Sequence, residues 1–153
     1  MIRLGAGGAV ENFVMNEKCA AGTGRFLEVM ARVLGCELSE LSGLADRYSK
    51  EVHISSVCTV FAESEVISRL AAGEAICDVA KGAHVSIASR VAGMCSRVGA
   101  AAPIVMTGGV ALNSNMVKTM GEVLGIPVTA APHPQAAGAI GAAVLAWERA
   151  HKT

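Results

Sequence analysis

The stretch from Ile104 to Asn113 reads IVMTGGVALN and joins an apolar run, a glycine pair and the beginning of a helical pattern. An apolar run that leads directly into Gly108 and Gly109 predicts a buried strand followed by a tight turn. Such a turn leaves bare backbone at the carboxyl end of a strand, where α/β folds commonly bind nucleotides. A simple strand-to-helix connection would use the same residues, so both interpretations stay open at this point.

The chain after this stretch repeats the same order of elements. A helical pattern extends to Leu124, a second apolar run covers residues 128–130, and a last helix continues to His151. An order of strand, helix, strand and helix is typical of an α/β fold. Gly138 and Gly141 give the last helix a face of small residues, which we interpret as a site of close packing.

The first two thirds of the chain predict a hairpin and several helices. Two apolar runs, at 2–4 and 10–15, flank a glycine-rich segment and predict the hairpin. Residues 52–54 are predicted to form a short strand. Helical patterns are assigned to residues 20–34, 59–72 and 76–98, and to a short segment that ends near Tyr48 and is capped by Ser39 or Ser42.

The helix over residues 59–72 has Val60, Ile67 and Ala71 on one apolar face. The helix over residues 76–98 is rich in small residues, although Gly82 and Gly93 lie within it. Together, the predicted elements describe one α/β domain over residues 1–153, with more helix than strand.

Composition restricts the class of protein. The chain has 153 residues, of which 52% are hydrophobic and 3% aromatic, and 13 basic residues balance 13 acidic ones. Zero net charge and few aromatic residues argue against binding to nucleic acid or an anionic membrane. The longest uncharged run, 123–147, is interrupted by three prolines, and the first residues lack a signal-peptide pattern. We expect a soluble, cytoplasmic domain with no membrane contact.

Two of the five cysteines, Cys19 and Cys58, lie where an extended segment gives way to a helix. Free backbone N–H groups and the positive end of the helix dipole favour a thiolate there, the form that ligates a metal. Zinc and iron–sulfur sites take four ligands, so other residues or a two-fold dimer must complete such a site. The alternative is that both are small buried packing residues. Packing roles are also expected for Cys36, Cys77 and Cys95.

Other possible motifs are weaker. The segment 22–27, GTGRFL, lacks the third glycine of a dinucleotide fingerprint, and no ribose-binding acid follows it at the expected distance. Glu63 and Glu65 are two residues apart on a predicted helix and therefore point in different directions. No catalytic residue is predicted from these patterns.

Three motifs, taken in order, resemble one known family. They are NEKCAAGTGRFLE at 16–28, CTVFAESE at 58–65 and TGGVA at 107–111. They resemble the ATP-dependent activators of 2-hydroxyacyl-CoA dehydratases, which belong with the ATPase subunits of benzoyl-CoA reductases. Nearly the whole chain is similar to the C-terminal part of that family. The resemblance implies the C-terminal part of an actin-like, Hsp70-like (ribonuclease H-like) ATPase fold.

The resemblance also implies cofactors, partners and site residues. It implies a homodimer that shares one [4Fe–4S] cluster, with Cys19 and Cys58 of each subunit as ligands. ATP binding and hydrolysis would drive electron transfer to a 2-hydroxyacyl-CoA dehydratase, with ferredoxin or flavodoxin as electron donor. The adenosine motif would be Thr107, Gly108 and Gly109, with Asn113, Gln135 and Gly138 as nearby candidate contacts.

The chain departs from the family in its phosphate-binding elements. Proteins of this fold hold the phosphates with two acidic, glycine-rich hairpins, and the hairpin at 5–8 contains no Asp to hold Mg²⁺. We therefore expect the Mg-ATP site to be incomplete, the N-terminal phosphate-binding lobe to be absent, and the chain to be a fragment. Two alternatives are a metal-free dimerisation or nucleotide-binding lobe, and an actin-like kinase whose catalytic Asp lies in the missing half.

Overall fold

The computed structural model describes residues 1–16, 24–55 and 58–151. Ten helices and strands lie in these ranges: β1 (Ile2–Leu4), β2 (Val10–Phe13), α1 (Gly24–Val33), α2 (Leu41–Asp46), α3 (Thr59–Ala71), α4 (Ile76–Val98), β3 (Ile104–Met106), α5 (Ser114–Leu124), β4 (Val128–Ala130) and α6 (Ala137–His151). Two short 3-10 turns cover Ala6–Gly8 and Gly109–Leu112. The start of the predicted helix at residues 20–23 lies outside the described residues.

Two separate two-stranded sheets are formed by the described strands. β1 and β2 pair antiparallel, with Ile2 opposite Phe13, so the predicted hairpin is confirmed although β2 ends two residues early. β3 and β4 pair parallel, with Ile104 opposite Val128 and Met106 opposite Ala130. Because α5 connects these parallel strands, the predicted order of strand, helix, strand and helix is confirmed.

The core lies among helices α1 to α5, with α4 passing through its middle. α4 is continuous for 23 residues through both of its glycines, as the sequence predicts. Small side chains on α4, including the fully buried Val79, Ala80 and Ala83, allow neighbouring segments to approach closely. The largest fully buried apolar side chains are Phe26, Met30, Leu41 and Met116.

The predicted serine cap of α2 is wrong. Glu40 occupies the N-cap position and makes no side-chain cap bond, rather than Ser39 or Ser42. The Ser42 hydroxyl instead accepts a hydrogen bond from the Asn115 N–H at 3.0 Å and lies 2.9 Å from the Ser114 hydroxyl oxygen. Ser42 therefore joins α2 to α5.

The predicted strand at residues 52–54 is also wrong. Val52 and Ile54 are only 6% and 3% exposed, yet this segment pairs with no strand in the described ranges. The segment packs on α4 at Gly82, where an added Cβ would press against the Val52 carbonyl oxygen. Its apolar residues reflect burial against a helix rather than membership of a sheet.

Helices α3 and α6 each expose several large apolar side chains. On α3, Val60 and Ile67 are 67% and 53% exposed, whereas the fully buried residues are Ala62 and Val66. The predicted apolar face of α3 therefore points to solvent. No residue of α6 is buried, so close packing through its small-residue face is not made within the described chain. None of the described helices is both long and apolar enough to cross a lipid bilayer.

Candidate nucleotide site and candidate cluster ligands

The loops that follow β3 and β4 meet at the carboxyl edge of the parallel sheet. The Ala131 N–H donates to the Met106 carbonyl oxygen at 3.0 Å, and the Gly108 N–H donates to the Pro134 carbonyl oxygen at 2.7 Å. These bonds hold the Gly108–Gly109 turn beside the connection between β4 and α6. The edge is the part of an α/β sheet at which ligands most often bind.

Thr107, Gly108 and Gly109 form an exposed turn at this edge. Gly108 has φ +85° and ψ 177°, a conformation that L-residues with a side chain rarely adopt. A Cβ on Gly108 would have no atom of the described residues within 4 Å, so it is the backbone conformation that favours glycine here. A Cβ on Gly109 would lie 3.6 Å from Gln135 Nε2, which places Gln135 beside the turn.

The other two candidate contacts lie at the first residues of neighbouring helices. Gly138 is exposed in the first turn of α6. Asn113 is the N-cap of α5, and its Oδ1 accepts the Met116 N–H at 2.8 Å. Its Nδ2 lies 3.0 Å from His84 Nε2, so both ends of this amide contact protein atoms. A direct contact between Asn113 and a nucleotide stays a prediction.

His84 adjoins this site but had no signal in the sequence. It is a single histidine in a helix of mostly small residues, and it is completely buried. Its Nδ1 lies 2.8 Å from the Ala80 carbonyl oxygen. Burial lowers the pKa of His84 below its ordinary value, against smaller opposing effects of the Ala80 carbonyl and Asn113. The imidazole is therefore neutral at physiological pH.

Cys58 is exposed at the N-cap position of α3. Its backbone is extended, with φ −85° and ψ 131°, and its carbonyl oxygen accepts the Ala62 N–H at 2.9 Å. The thiol therefore lies where the free N–H groups of α3 begin, as the sequence predicts. Cys19, the other predicted ligand, lies outside the described residues.

The other three cysteines are less suited to ligate a metal. Cys36 and Cys77 are half-buried, and Cys95 is 3% exposed. Burial is the main cause that raises the pKa of the Cys36 and Cys95 thiols, which disfavours their thiolate forms. The burial of Cys36, Cys77 and Cys95 favours packing roles for all three.

A complete metal site is not present in the described ranges, where no three His, Cys, Asp or Glu side chains lie together. The exposed Cys58 thiol at a helix N-terminus nevertheless has the chemistry of an iron–sulfur ligand. The buried hydroxyl oxygen of Thr59, next to it, has no hydrogen-bond partner within the part of the chain that the structure describes. The donor set fits a cluster only if further thiolates come from residues outside these ranges or from a second chain.

Comparisons of sequence and structure show which known proteins this chain is similar to. A sequence profile of the BadF/BadG/BcrA/BcrD ATPase family matches residues 1–146. The activator of lactoyl-CoA dehydratase from Anaerotignum propionicum is 52% identical over 151 residues, which are 99% of this chain and 58% of that protein.

Two solved structures have the same fold. The (R)-2-hydroxyglutaryl-CoA dehydratase component A from Acidaminococcus fermentans has a TM-score of 0.95 and 49% identity, over 99% of this chain and 58% of that one. The activator of the 2-hydroxyisocaproyl-CoA dehydratase from Clostridium difficile, with bound ADPNP, has a TM-score of 0.93 and 46% identity, over 97% of this chain and 56% of that one.

The chain thus spans little more than half the length of these three relatives. Over that span it has the mixed α/β, actin-like architecture of the activator ATPases. With a profile match over nearly every residue, the chain belongs to the BadF/BadG/BcrA/BcrD ATPase family.

Proposed function

We propose that this chain is the cluster-ligating and adenosine-binding part of an ATP-dependent activator of a 2-hydroxyacyl-CoA dehydratase. The observation that carries the proposal is the 52% identity, over 99% of this chain, with the activator of lactoyl-CoA dehydratase. The bound ADPNP of the Clostridium difficile activator supports nucleotide binding. The partner enzyme would be a dehydratase that acts on a 2-hydroxyacyl-CoA.

In this proposal, the adenosine part of ATP binds at the carboxyl edge of β3 and β4. The exposed backbone of Gly108 and Gly109 allows a ribose or base to approach, and Gln135 Nε2 beside the turn is a hydrogen-bond donor. α5 and α6 both begin at this edge, and their N-terminal N–H groups favour a negatively charged ligand. Mg²⁺ and the outer phosphates would be held by the rest of the intact protein.

The cluster would be shared by two copies of the chain, with Cys19 and Cys58 as the ligands from each copy. When bound, a [4Fe–4S] cluster supplies one-electron transfer. Val60 and Phe61 follow Cys58 in the sequence and are 67% and 68% exposed. They form an exposed apolar surface beside the thiol that a second copy of the chain can cover. In the cell, ferredoxin or flavodoxin would reduce the cluster and the dehydratase would accept the electron.

We also propose that the chain is part of a longer protein, whose remaining portion covers the apolar surface of α6 and the hairpin. Every residue of β1 and β2 is exposed, and so are Ile140, Val144, Leu145 and Trp147 on α6. An apolar cavity of about 300 Å³ lies between α4 and β3 and is lined in part by Met1, Met94 and Val105. Such a large apolar surface is typical of an interface. The phosphate-binding lobe expected from the sequence would lie in that portion.

Anaerobic reconstitution with iron and sulfide tests the proposal. The wild-type chain should give a brown dimer that carries one cluster per two chains, measured by absorption, iron content and sedimentation. Cys19→Ala and Cys58→Ala should each abolish the cluster, because each removes two of its four ligands from the dimer. Cys77→Ala is the matched control, because Cys77 is half-buried in α4 and should not affect cluster assembly.

The outcome also separates the competing functions. A colourless, monomeric wild-type protein under these conditions would refute the cluster. If that protein still bound ADP, the metal-free nucleotide-binding lobe would be the better description. An unchanged cluster in Cys58→Ala would show that the ligands lie elsewhere.

A further inference from the structure

We propose that His84 acts through Asn113 as a positioning residue for the Gly108–Gly109 turn, so that full affinity for adenine nucleotide requires neutral His84. The inference rests on the nucleotide site proposed above. It assigns His84 and Asn113 a role in shaping the site, whereas the family resemblance implies a direct contact for Asn113.

The hydrogen bonds around His84 fix its tautomer. A carbonyl oxygen only accepts hydrogen bonds, so Nδ1, at 2.8 Å from the Ala80 oxygen, must carry the proton. In the neutral ring, Nε2 is then an acceptor, and the Asn113 Nδ2 group donates to it at 3.0 Å. The opposite end of the amide, Oδ1, accepts the Met116 N–H at 2.8 Å. Every polar atom of this pair therefore has a matching partner.

Asn113 connects to the glycine turn through the backbone of the short 3-10 turn. Its own N–H donates to the Val110 carbonyl oxygen at 3.1 Å, and the Ala111 N–H donates to the Gly108 carbonyl oxygen at 3.2 Å. Ala111 is 5% exposed, so this turn is fixed on its inner side. A displacement of Asn113 would move the Gly108 backbone, which has the positive φ required at the exposed edge.

The surroundings keep His84 neutral. Burial is the main cause that lowers the pKa of His84, Lys81 on the same helix lowers it further, and Asp46 on α2 acts in the opposite direction. Lys81 Nζ is held by Thr119 at 2.7 Å and by Glu122 of α5 at 2.8 Å, and Asp46 accepts from Asn115 of α5 at 2.7 Å. Protonated His84 would place an Nε2–H donor against the Asn113 donor, so the contact would be lost in acid.

Calorimetric titration with ADP between about pH 7.5 and about pH 5 tests the role of His84. Wild-type affinity should fall as His84 gains a proton. His84→Gln should keep the affinity within about twofold and lose that fall, because an amide oxygen accepts from Asn113 at any pH. ADP gains a proton in the same range, so wild type is compared with His84→Gln at each pH. His53→Gln, at an exposed histidine, should behave as wild type.

Two further variants separate positioning from simple loss of stability. His84→Leu and Asn113→Ser should each weaken ADP binding by about three- to tenfold at neutral pH, the equivalent of one hydrogen bond. Serine is a good N-cap, so Asn113→Ser keeps the cap of α5 while it removes the donor to His84. Thermal unfolding of each variant shows whether it is folded at the titration temperature.

Nitrogen NMR of the imidazole gives a readout that does not depend on nucleotide. The Nδ1-protonated tautomer supports the inference, and an Nε2-protonated tautomer overturns it. Equal ADP affinity in wild type, His84→Leu and Asn113→Ser overturns it as well, while the proposed nucleotide site would stand. No ADP binding by the wild type at any pH overturns both.

Discussion

Asp78 ties the loop before residue 52 to the first turn of α4. Its Oδ1 accepts the Ser49 N–H at 2.7 Å and the Lys50 N–H at 3.1 Å, and the residue is 4% exposed. These two backbone N–H groups, with Ser49 the stronger, lower the pKa of Asp78 against the opposing effect of burial. The carboxylate form is therefore favoured in the folded chain.

Asp78→Asn should lower the free energy of unfolding at neutral pH, and its difference from wild type should shrink in acid. The folded pKa is lowered below the unfolded value of about 3.9, so the charge contributes stability above that value, which is lost as pH falls through the folded pKa. Urea unfolding from about pH 7 to about pH 3 measures the effect. Glu148→Gln, at an exposed carboxylate, is the control. A difference that stays constant over this range would contradict the prediction.

The predictability of single residues depends on how far away their partners lie in the sequence. Gly108 could be predicted because its φ is a local property of the turn. Ser42 could not, because its partner Ser114 is 72 residues away and replaces the local capping role. The role of His84 could not be predicted for the same reason, because its partner Asn113 lies 29 residues away in the sequence.

At the scale of elements, α4 allows a close approach at Gly82. An added Cβ would press against the Val52 carbonyl oxygen and lie 3.3 Å from Ile54 Cγ1. The first of these contacts is with backbone, which cannot rotate away as a side chain can. Gly93, in the same helix, is exposed, and no described atom lies within 4 Å of the equivalent Cβ position.

Gly82→Ala should therefore destabilise the fold by about 1–3 kcal/mol, the usual effect of overpacking. Gly93→Ala should have the opposite sign and stabilise by up to about 1 kcal/mol, because alanine is the better helix former. Urea denaturation of both variants measures the pair. Stabilisation by Gly82→Ala would show that the 52–54 segment does not lie against α4 in solution.

The close approach of residues 52–54 to α4 also explains why their sequence pattern wrongly predicts a strand. Val52 and Ile54 have the alternation of a half-buried strand, but their burial comes from α4. Local periodicity also identifies an apolar stripe on a helix without showing whether that stripe faces the core or the solvent, as α3 shows. Val60 and Ile67 are exposed there, whereas Ala62 and Val66 face the core. By contrast, the bounds of β3 and β4 and the end of α5 follow from the apolar runs and turns in the sequence, whereas the 3-10 turn at Gly109–Leu112 delays the start of α5 to Ser114.

At the scale of the whole molecule, the described chain has a well-packed side and an unpacked side. The core among α1 to α5 is continuous, whereas α6 and both strands of the hairpin have no buried residue. The order of elements is encoded locally and was predicted. The exposed apolar surface was not, because the pattern of α6 is the same whether its partner lies in this chain or in another segment.

Substitution on α6 tests directly whether this helix belongs to the unpacked side of the chain. Val144→Ser removes a methyl pair from a side chain that is 49% exposed, so it should change the free energy of unfolding by less than about 0.5 kcal/mol. It should also reduce binding of a hydrophobic dye and the self-association of the cluster-free chain, measured by sedimentation. Val79→Ser, at a fully buried valine of α4, should cost more than about 2 kcal/mol, because it leaves a cavity and buries a hydroxyl without a partner. Equal losses of stability in the two variants would mean that α6 packs against this chain in solution, and the case for a covering segment would fail.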